Sequence, residues 1–246
     1  MINFVTLFRK KKFSFYTFMH QKKDVMNTEK ILEFLGELKQ NNTREWFSES
    51  KSRYEMLRSE FEAFINRLIP EVHKFDPGIG LVSARDCMFR IYKDVRFSKD
   101  KSPYKTNFGA FITENGRKSV KAGYYLHLEP DESFLGGGMY MPPPDILKRV
   151  RQEIYFNAEA LNRILEENNF REVYGGLYDM DDKLKKPPRD YPSDFRYIEL
   201  LRHKSYTVWH TLSPEALKSG SLLEDIVRKF RAMEPFNAYL NRIFDL

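Results

Sequence analysis

The order of hydrophobic periods along this chain predicts an α+β fold. An N-terminal helical hairpin precedes a central, mainly antiparallel sheet, and C-terminal helices pack on that sheet. Three observations carry the prediction. Apolar residues recur at helical spacing from residue 31 to residue 68, at a spacing of two from residue 87 to residue 141, and at helical spacing again from residue 146. Helices, then strands, then helices with one late strand do not make alternating βαβ units.

The first helix opens at Thr28, a good N-cap, and carries Ile31, Leu32, Phe34, Leu35 and Leu38 on one face. Asn41-Asn42 breaks it, and Asn42 with Glu45 three residues on resembles a capping box for a second helix. That helix carries Trp46, Phe47, Tyr54, Leu57, Phe61, Phe64, Ile65 and Leu68 toward the core. From Asp86 the alternation of Cys87, Phe89 and Ile91 with Met88, Arg90 and Tyr92 predicts a strand. Two more strands follow, with Phe108, Ala110 and Ile112 in phase on one and Tyr124, Leu126 and Leu128 on the other. On the second, Tyr125, His127 and Glu129 take the opposite face. A fourth extended piece, 133–141, contains Gly136-Gly137-Gly138, which in a strand permits close approach of another backbone. Pro142-Pro143-Pro144 ends the sheet, and helical spacing returns at 146–156 and 158–165. An irregular strap runs from Gly175-Gly176 to Pro187-Pro188. A late strand is expected at Tyr206 to Thr211, and a closing helix from Leu222 that is interrupted or kinked before Pro235.

Composition limits the function. The single cysteine, Cys87, excludes an internal disulfide and a thiolate zinc site. It fits a reducing, cytoplasmic setting, although a disulfide-free exported protein is also compatible. No run of about 18 apolar residues occurs, so no membrane span is expected. The formal charge is +6, but residues 1–25 hold Arg9, Lys10, Lys11, Lys12, Lys22 and Lys23 against Asp24. That leader carries five of the net charges and leaves one for the rest, so no specific nucleic-acid partner is expected. Its broken apolar stretches do not make a secretory signal. It reads as a membrane-surface peptide or, more simply, as an upstream extension before a start at Met26, with residues 26–246 forming a single domain.

The segment Arg90-Ile91-Tyr92-Lys93-Asp94-Val95-Arg96-Phe97-Ser98-Lys99-Asp100-Lys101-Ser102-Pro103-Tyr104 resembles the signature of the bacterial "domain of unknown function 2461" family, R-x-x-R-D-x-R-F-x-x-D-K-x-P-Y. The likeness extends from about Ile31 to Tyr206. It takes in Asn42-Thr43-Arg44-Glu45-Trp46-Phe47, Gly123-Tyr124-Tyr125-Leu126-His127 and the triple glycine. Lys93 departs from the arginine usual at that place; it keeps the charge and loses planar two-pronged hydrogen bonding. The resemblance implies a single-domain bacterial-type protein without an assigned activity, and the leader lies outside it.

Arg90, Lys93, Arg96, Lys99, Lys101 and Lys105 outnumber Asp94 and Asp100 by four. Charge held out of water is costly unless paired, so this excess must reach water, distant carboxylates or an anionic ligand. Strand phase sets Arg90 apart from Cys87, Phe89 and Ile91, and gives Tyr125 and His127 a shared face. The expected ligand site is therefore Arg90, Lys93, Asp94, Arg96, Asp100, Lys101, Tyr104, Lys105, Tyr125 and His127, taking a small phosphorylated or carboxylated molecule. His127 is a candidate general acid or base, or simply a hydrogen-bonded strand histidine. His203 and His210 lack metal-ligand spacing, and the triple glycine lacks the Gly-Lys-Ser/Thr of a phosphate loop. The reading includes no cofactor and no metal, and it assigns no oligomeric state. Two classes fit: a pocket protein, with or without catalysis, and a scaffold or partner-binding module. In the second, the cationic loop is an internal ion-pair network or meets an acidic partner.

Overall fold

The computed structural model describes residues 26–96, 99–180 and 183–245; the leader expected at 1–25 lies outside them. The fold is α+β. Helix α1 spans Thr28–Gln40, α2 Arg44–Glu49 and α3 Lys51–His73. Each helix start is one residue away from its expected cap. Asn27 rather than Thr28 caps α1, accepting from the Lys30 N–H at 3.0 Å. The Thr28 hydroxyl is buried and donates to the Leu217 carbonyl instead. Thr43 rather than Asn42 caps α2, accepting from the Trp46 N–H at 3.2 Å. Both are short polar side chains at a helix start, so local pattern does not separate adjacent candidates. Aromatic contacts of Phe34 with Trp46 and Tyr54, and of Phe47 with Tyr54, join the three helices.

The strand expected from Asp86 begins later. Residues Ala84–Cys87 form a helical turn, α4, sealed by a capping box in which Ser83 and Asp86 satisfy each other's backbone N–H groups. The chain then extends, bridging Met88 to Ala110 and Tyr92 to Tyr104. This turn resets the phase. Cys87 and Met88 are both buried, whereas Phe89 leaves the core and is 38% exposed. The expected grouping of Cys87, Phe89 and Ile91 on one apolar face is therefore corrected. Burial pushes the Cys87 thiol up to about 12, leaving it an inert core group.

Strands β1 (Phe108–Ile112), β2 (Gly123–Leu128), β3 (Phe134–Met139) and β4 (Tyr206–Thr211) form an antiparallel sheet in that order. Helix α5 (Pro144–Glu166) follows β3, with a break at Asn157, and α6 covers Asn168–Tyr174. The short helices α7 (Ile198–Leu201) and α8 (Pro214–Lys218) flank β4, and α9 (Leu222–Asn241) closes the chain. The interruption expected before Pro235 does not occur. Helix α9 runs through it, because proline removes one backbone bond and the buried neighbours Met233 and Phe236 hold the helix to the core.

The register places Ala110, Leu126, Leu135 and Val208 on one sheet face, where α9 packs. Tyr124 meets Phe230 there at 5.2 Å between ring centroids, and the Asn237 amide donates to the Gly123 carbonyl at 3.1 Å. Gly137 gives the helix room, since a Cβ there would lie 2.1 Å from the Met233 sulfur. The opposite face carries Phe111, Tyr125, His127, Phe134 and Trp209, and it is this face that lines a groove. Among the described residues no helix is long and apolar enough to cross a membrane.

Candidate functional site

The second sheet face is the floor of a groove of about 660 Å³. Its lining starts with Phe134 on β3, which stacks on the His127 ring at 4.6 Å and on Trp209 at 3.3 Å. Trp209 in turn stacks on Tyr178 at 4.9 Å, in the segment after α6. On the other side Tyr125 meets Phe134 at 5.6 Å and the edge of Phe89 at 6.0 Å. A band of rings thus crosses the sheet from Tyr178 to Phe89. Glycine makes it possible: Gly109 lies opposite His127, and a Cβ there would stand 2.6 Å from the Tyr125 hydroxyl. The rings supply broad apolar faces at low conformational cost.

Within the band, three side chains of one strand form a hydrogen-bonded chain. Residues at i, i+2 and i+4 of a strand share a face, and Tyr125, His127 and Glu129 do so here. Tyr125 Oη lies 2.9 Å from His127 Nδ1, and His127 Nε2 lies 2.9 Å from Glu129 Oε2. The Thr106 hydroxyl donates to the other carboxylate oxygen at 2.5 Å. The His127 and Glu129 side chains are only 12% and 14% exposed. Burial lowers the His127 pKa, and the hydrogen bond and charge of Glu129 only partly oppose it. At neutral pH the imidazole is neutral, so its contact with Glu129 is a charge-assisted hydrogen bond rather than an ion pair. A carboxylate only accepts, so Nε2 carries the proton and Nδ1 accepts from the phenol. Burial, then the Glu129 charge, raises the Tyr125 pKa, so the phenol keeps its proton.

A pH dependence follows with a definite sign. The folded-state pKa of His127 lies below its ordinary 6.5, so the unfolded chain takes up this proton first on acidification. The stability tied to neutral His127 is present above 6.5 and is lost as pH falls through the folded value. Melting temperatures between about pH 7 and pH 5 are expected to fall less steeply for His127→Gln than for the natural chain. Parallel curves would contradict the assignment.

The expected cationic site divides in two. Lys93 reaches Asp100 at 2.5 Å, and Arg96 binds Asp94 through two nitrogens at 3.0 and 2.7 Å. The Arg96 bonds hold the Asp94 carboxyl down at about 2, and Lys93, then Ser102, hold Asp100 below the usual carboxylate range. Lys101 donates to the Val95 carbonyl at 3.0 Å. Tyr104 turns inward, its ring 7% exposed and stacked on Phe47 at 3.9 Å. The Asn42 amide clasps the Tyr104 backbone, donating to its carbonyl at 3.0 Å and accepting from its N–H at 3.1 Å. Lys93, Asp94, Arg96, Asp100, Lys101 and Tyr104 are thus bound up in their own loop and its anchor, and none of them lines the groove.

Tyr125 and His127 do line it, whereas Lys105 is outside the lining and reaches it only over Phe89. The Lys105 amine stands 5.3 Å from the centroid of the Phe89 ring. Its pKa is lowered by burial first and then by the charges of Arg90 and Arg117. Arg117, on the lining, is fixed by bonds from Nη1 to the carbonyls of Arg85 and Asp86 at 2.6 and 2.8 Å. Lys105 has no carboxylate partner among the described residues. The structure therefore brings Arg90, Lys105 and Arg117 to the Phe89 end of the aromatic band. Sequence reasoning missed Arg117, Phe89, Phe134, Trp209 and Glu129. Only Glu129 had a local signal, its phase with Tyr125 and His127. No three His, Cys, Asp or Glu side chains gather as metal ligands among the described residues.

A family model described as "Conserved hypothetical protein (DUF2461)" matches residues 30–239. No curated protein and no solved structure matches the chain.

Proposed function

We propose that this chain, which belongs to the DUF2461 family of conserved hypothetical proteins, is a pocket protein for a small molecule with a flat body and an anionic head. The body lies along Phe134 and Trp209, and the phosphate or carboxylate head faces Lys105, Arg90 and Arg117. One observation carries the reading: the aromatic groove on the sheet face away from α9 has Arg117 on its lining and Lys105 over Phe89 at its end, with Arg90 close to Lys105, and Lys105 is partly buried and, among the described residues, without a carboxylate partner. A groove of about 660 Å³ is the size that holds small ligands. A cation drawn out of water in this way gains from an incoming anion. The ion pairs of Lys93 with Asp100 and of Arg96 with Asp94 favour a structural role for the loop that carries them.

The test compares two fluorescent probes of similar shape, anionic anilinonaphthalene sulfonate and neutral phenylnaphthylamine. Both are expected to bind saturably. Lys105→Ala and Arg117→Ala are each expected to weaken the sulfonate by about tenfold, the size of one charge-assisted contact. They leave the neutral probe unchanged, and Arg96→Ala affects neither. Equal weakening of both probes, or binding that never saturates, would overturn the reading.

A further inference from the structure

The geometry points to Tyr125 as a covalent nucleophile in phosphoester hydrolysis, activated by His127 with Glu129 as the positioning residue. The inference rests on the groove reading above and adds a reaction to it. The arrangement is that of an activated nucleophile: a hydroxyl bonded to a base, and the base bonded to a third group that orients it.

The carboxylate is the informative part. Glu129 is largely buried, and among the described residues its carboxylate meets only the neutral groups Thr106 and His127, with no lysine or arginine. A structural chain on a sheet face has no need of a buried, uncompensated charge, which costs free energy. That charge is compensated when His127 takes a second proton, which is the moment the phenol attacks. Glu129 therefore stabilises the state with the proton on His127, as the acid of a catalytic triad does.

The substrate class follows from the neighbours of Tyr125. The Tyr125 ring meets the edge of Phe89, over which Lys105 stands, so a ligand whose anionic head faces Lys105 carries that head to the Tyr125 end of the groove. A group that is both anionic and electrophilic is a phosphoryl group, whose transition-state oxygens are stabilised by such cations. In the first step the Tyr125 oxygen bonds to phosphorus while its proton passes to His127 Nδ1. The phosphorus–oxygen bond to the flat body breaks, its electron pair goes to the leaving oxygen, and His127 returns the proton there. In the second step water gives a proton to His127 and its oxygen bonds to phosphorus. The Tyr125 oxygen leaves with its electron pair and recovers the proton from His127. The sum is ester plus water giving alcohol and phosphate.

Phenylmethanesulfonyl fluoride probes the first step without a known substrate: the phenol oxygen bonds to sulfur, fluoride leaves, and the proton goes to His127. The full chain is treated and the modified residue is mapped by mass spectrometry. Tyr125 is expected to be the labelled tyrosine. Its labelling rate is expected to fall about a hundredfold in His127→Gln, the lower end of a general-base contribution, and measurably in Glu129→Gln. Each variant is first shown to be folded by its circular dichroism and a cooperative melt, which separates lost chemistry from lost structure. An unlabelled Tyr125 in a chain that binds the sulfonate would overturn the nucleophile and leave the groove reading intact. Equal labelling in His127→Gln would likewise mean that His127 does not activate Tyr125. Absence of both labelling and sulfonate binding would remove the two readings together.

Discussion

Gly137→Val is expected to destabilise the protein by about 3 kcal/mol or more, among the larger overpacking effects. Gly137 sits on the core face of β3, where a Cβ would meet the Met233 sulfur at 2.1 Å and the Gly123 carbonyl oxygen at 2.4 Å. A methionine side chain can swing aside, but the Gly123 oxygen is backbone of the neighbouring strand. Relief therefore requires β2 and β3 to part, or α9 to lift from the sheet. Gly220→Ala is the control, because nothing lies within 4 Å of the added carbon. That change is expected to stay within about 0.5 kcal/mol. Urea midpoints for the two variants check the contrast. Similar midpoints would mean that α9 does not press on the sheet at Gly137.

Tyr104→Ala is expected to cost about 3–5 kcal/mol, the range for removing a buried aromatic ring. The ring is stacked on Phe47 and further contacted by Tyr92 at 5.5 Å. Asn42→Ala is expected to cost about 1–3 kcal/mol, because the Tyr104 N–H and carbonyl lose their partner. The double variant is expected to lose less than the sum, since the two residues hold one joint. Arg96→Ala tests the other part of the same loop. Its side chain is 76% exposed, so the melting temperature is expected to change little. A large loss from Arg96→Ala together with a small one from Tyr104→Ala would reverse this division of the loop.

Much of the fold was legible because burial imposes a period. The stripe from Ile31 to Leu38 became α1, and Phe108-Ala110-Ile112 and Tyr124-Leu126-Leu128 became the core faces of β1 and β2. The pattern failed where two local rules competed. Alternation from Cys87 to Ile91 favoured a strand, and the Ser83–Asp86 capping box, four residues earlier, took the first part of it into a helical turn. At Pro235 the local rule yielded to packing of Met233 and Phe236. In the groove, the shared face of Tyr125 and His127 was legible from phase, and Glu129 stood in the same phase. Arg117 and Trp209 were not legible. Arg117 depends on two backbone carbonyls some thirty positions earlier in the chain, and Trp209 reaches Phe134 only through the pairing of β3 with β4. Such pairings across distant segments leave no trace in a local period. The Asn42 contact with Tyr104 is of the same kind, and it joins the two stretches that carry the family resemblance.

The chain has two tryptophans, Trp46 and Trp209, and so two indole N–H resonances. Trp209 lies on the groove floor, stacked between Phe134 and Tyr178, while Trp46 packs on Phe34 in α1. Titrating nitrogen-labelled protein with anilinonaphthalene sulfonate therefore reads the groove with an internal control. The account predicts a saturable shift of the Trp209 indole signal with Trp46 unmoved, and a weaker titration for Lys105→Ala. A Trp209 signal that stays still while the probe binds, or equal shifts of both indoles, would contradict the assignment of this sheet face as the ligand site.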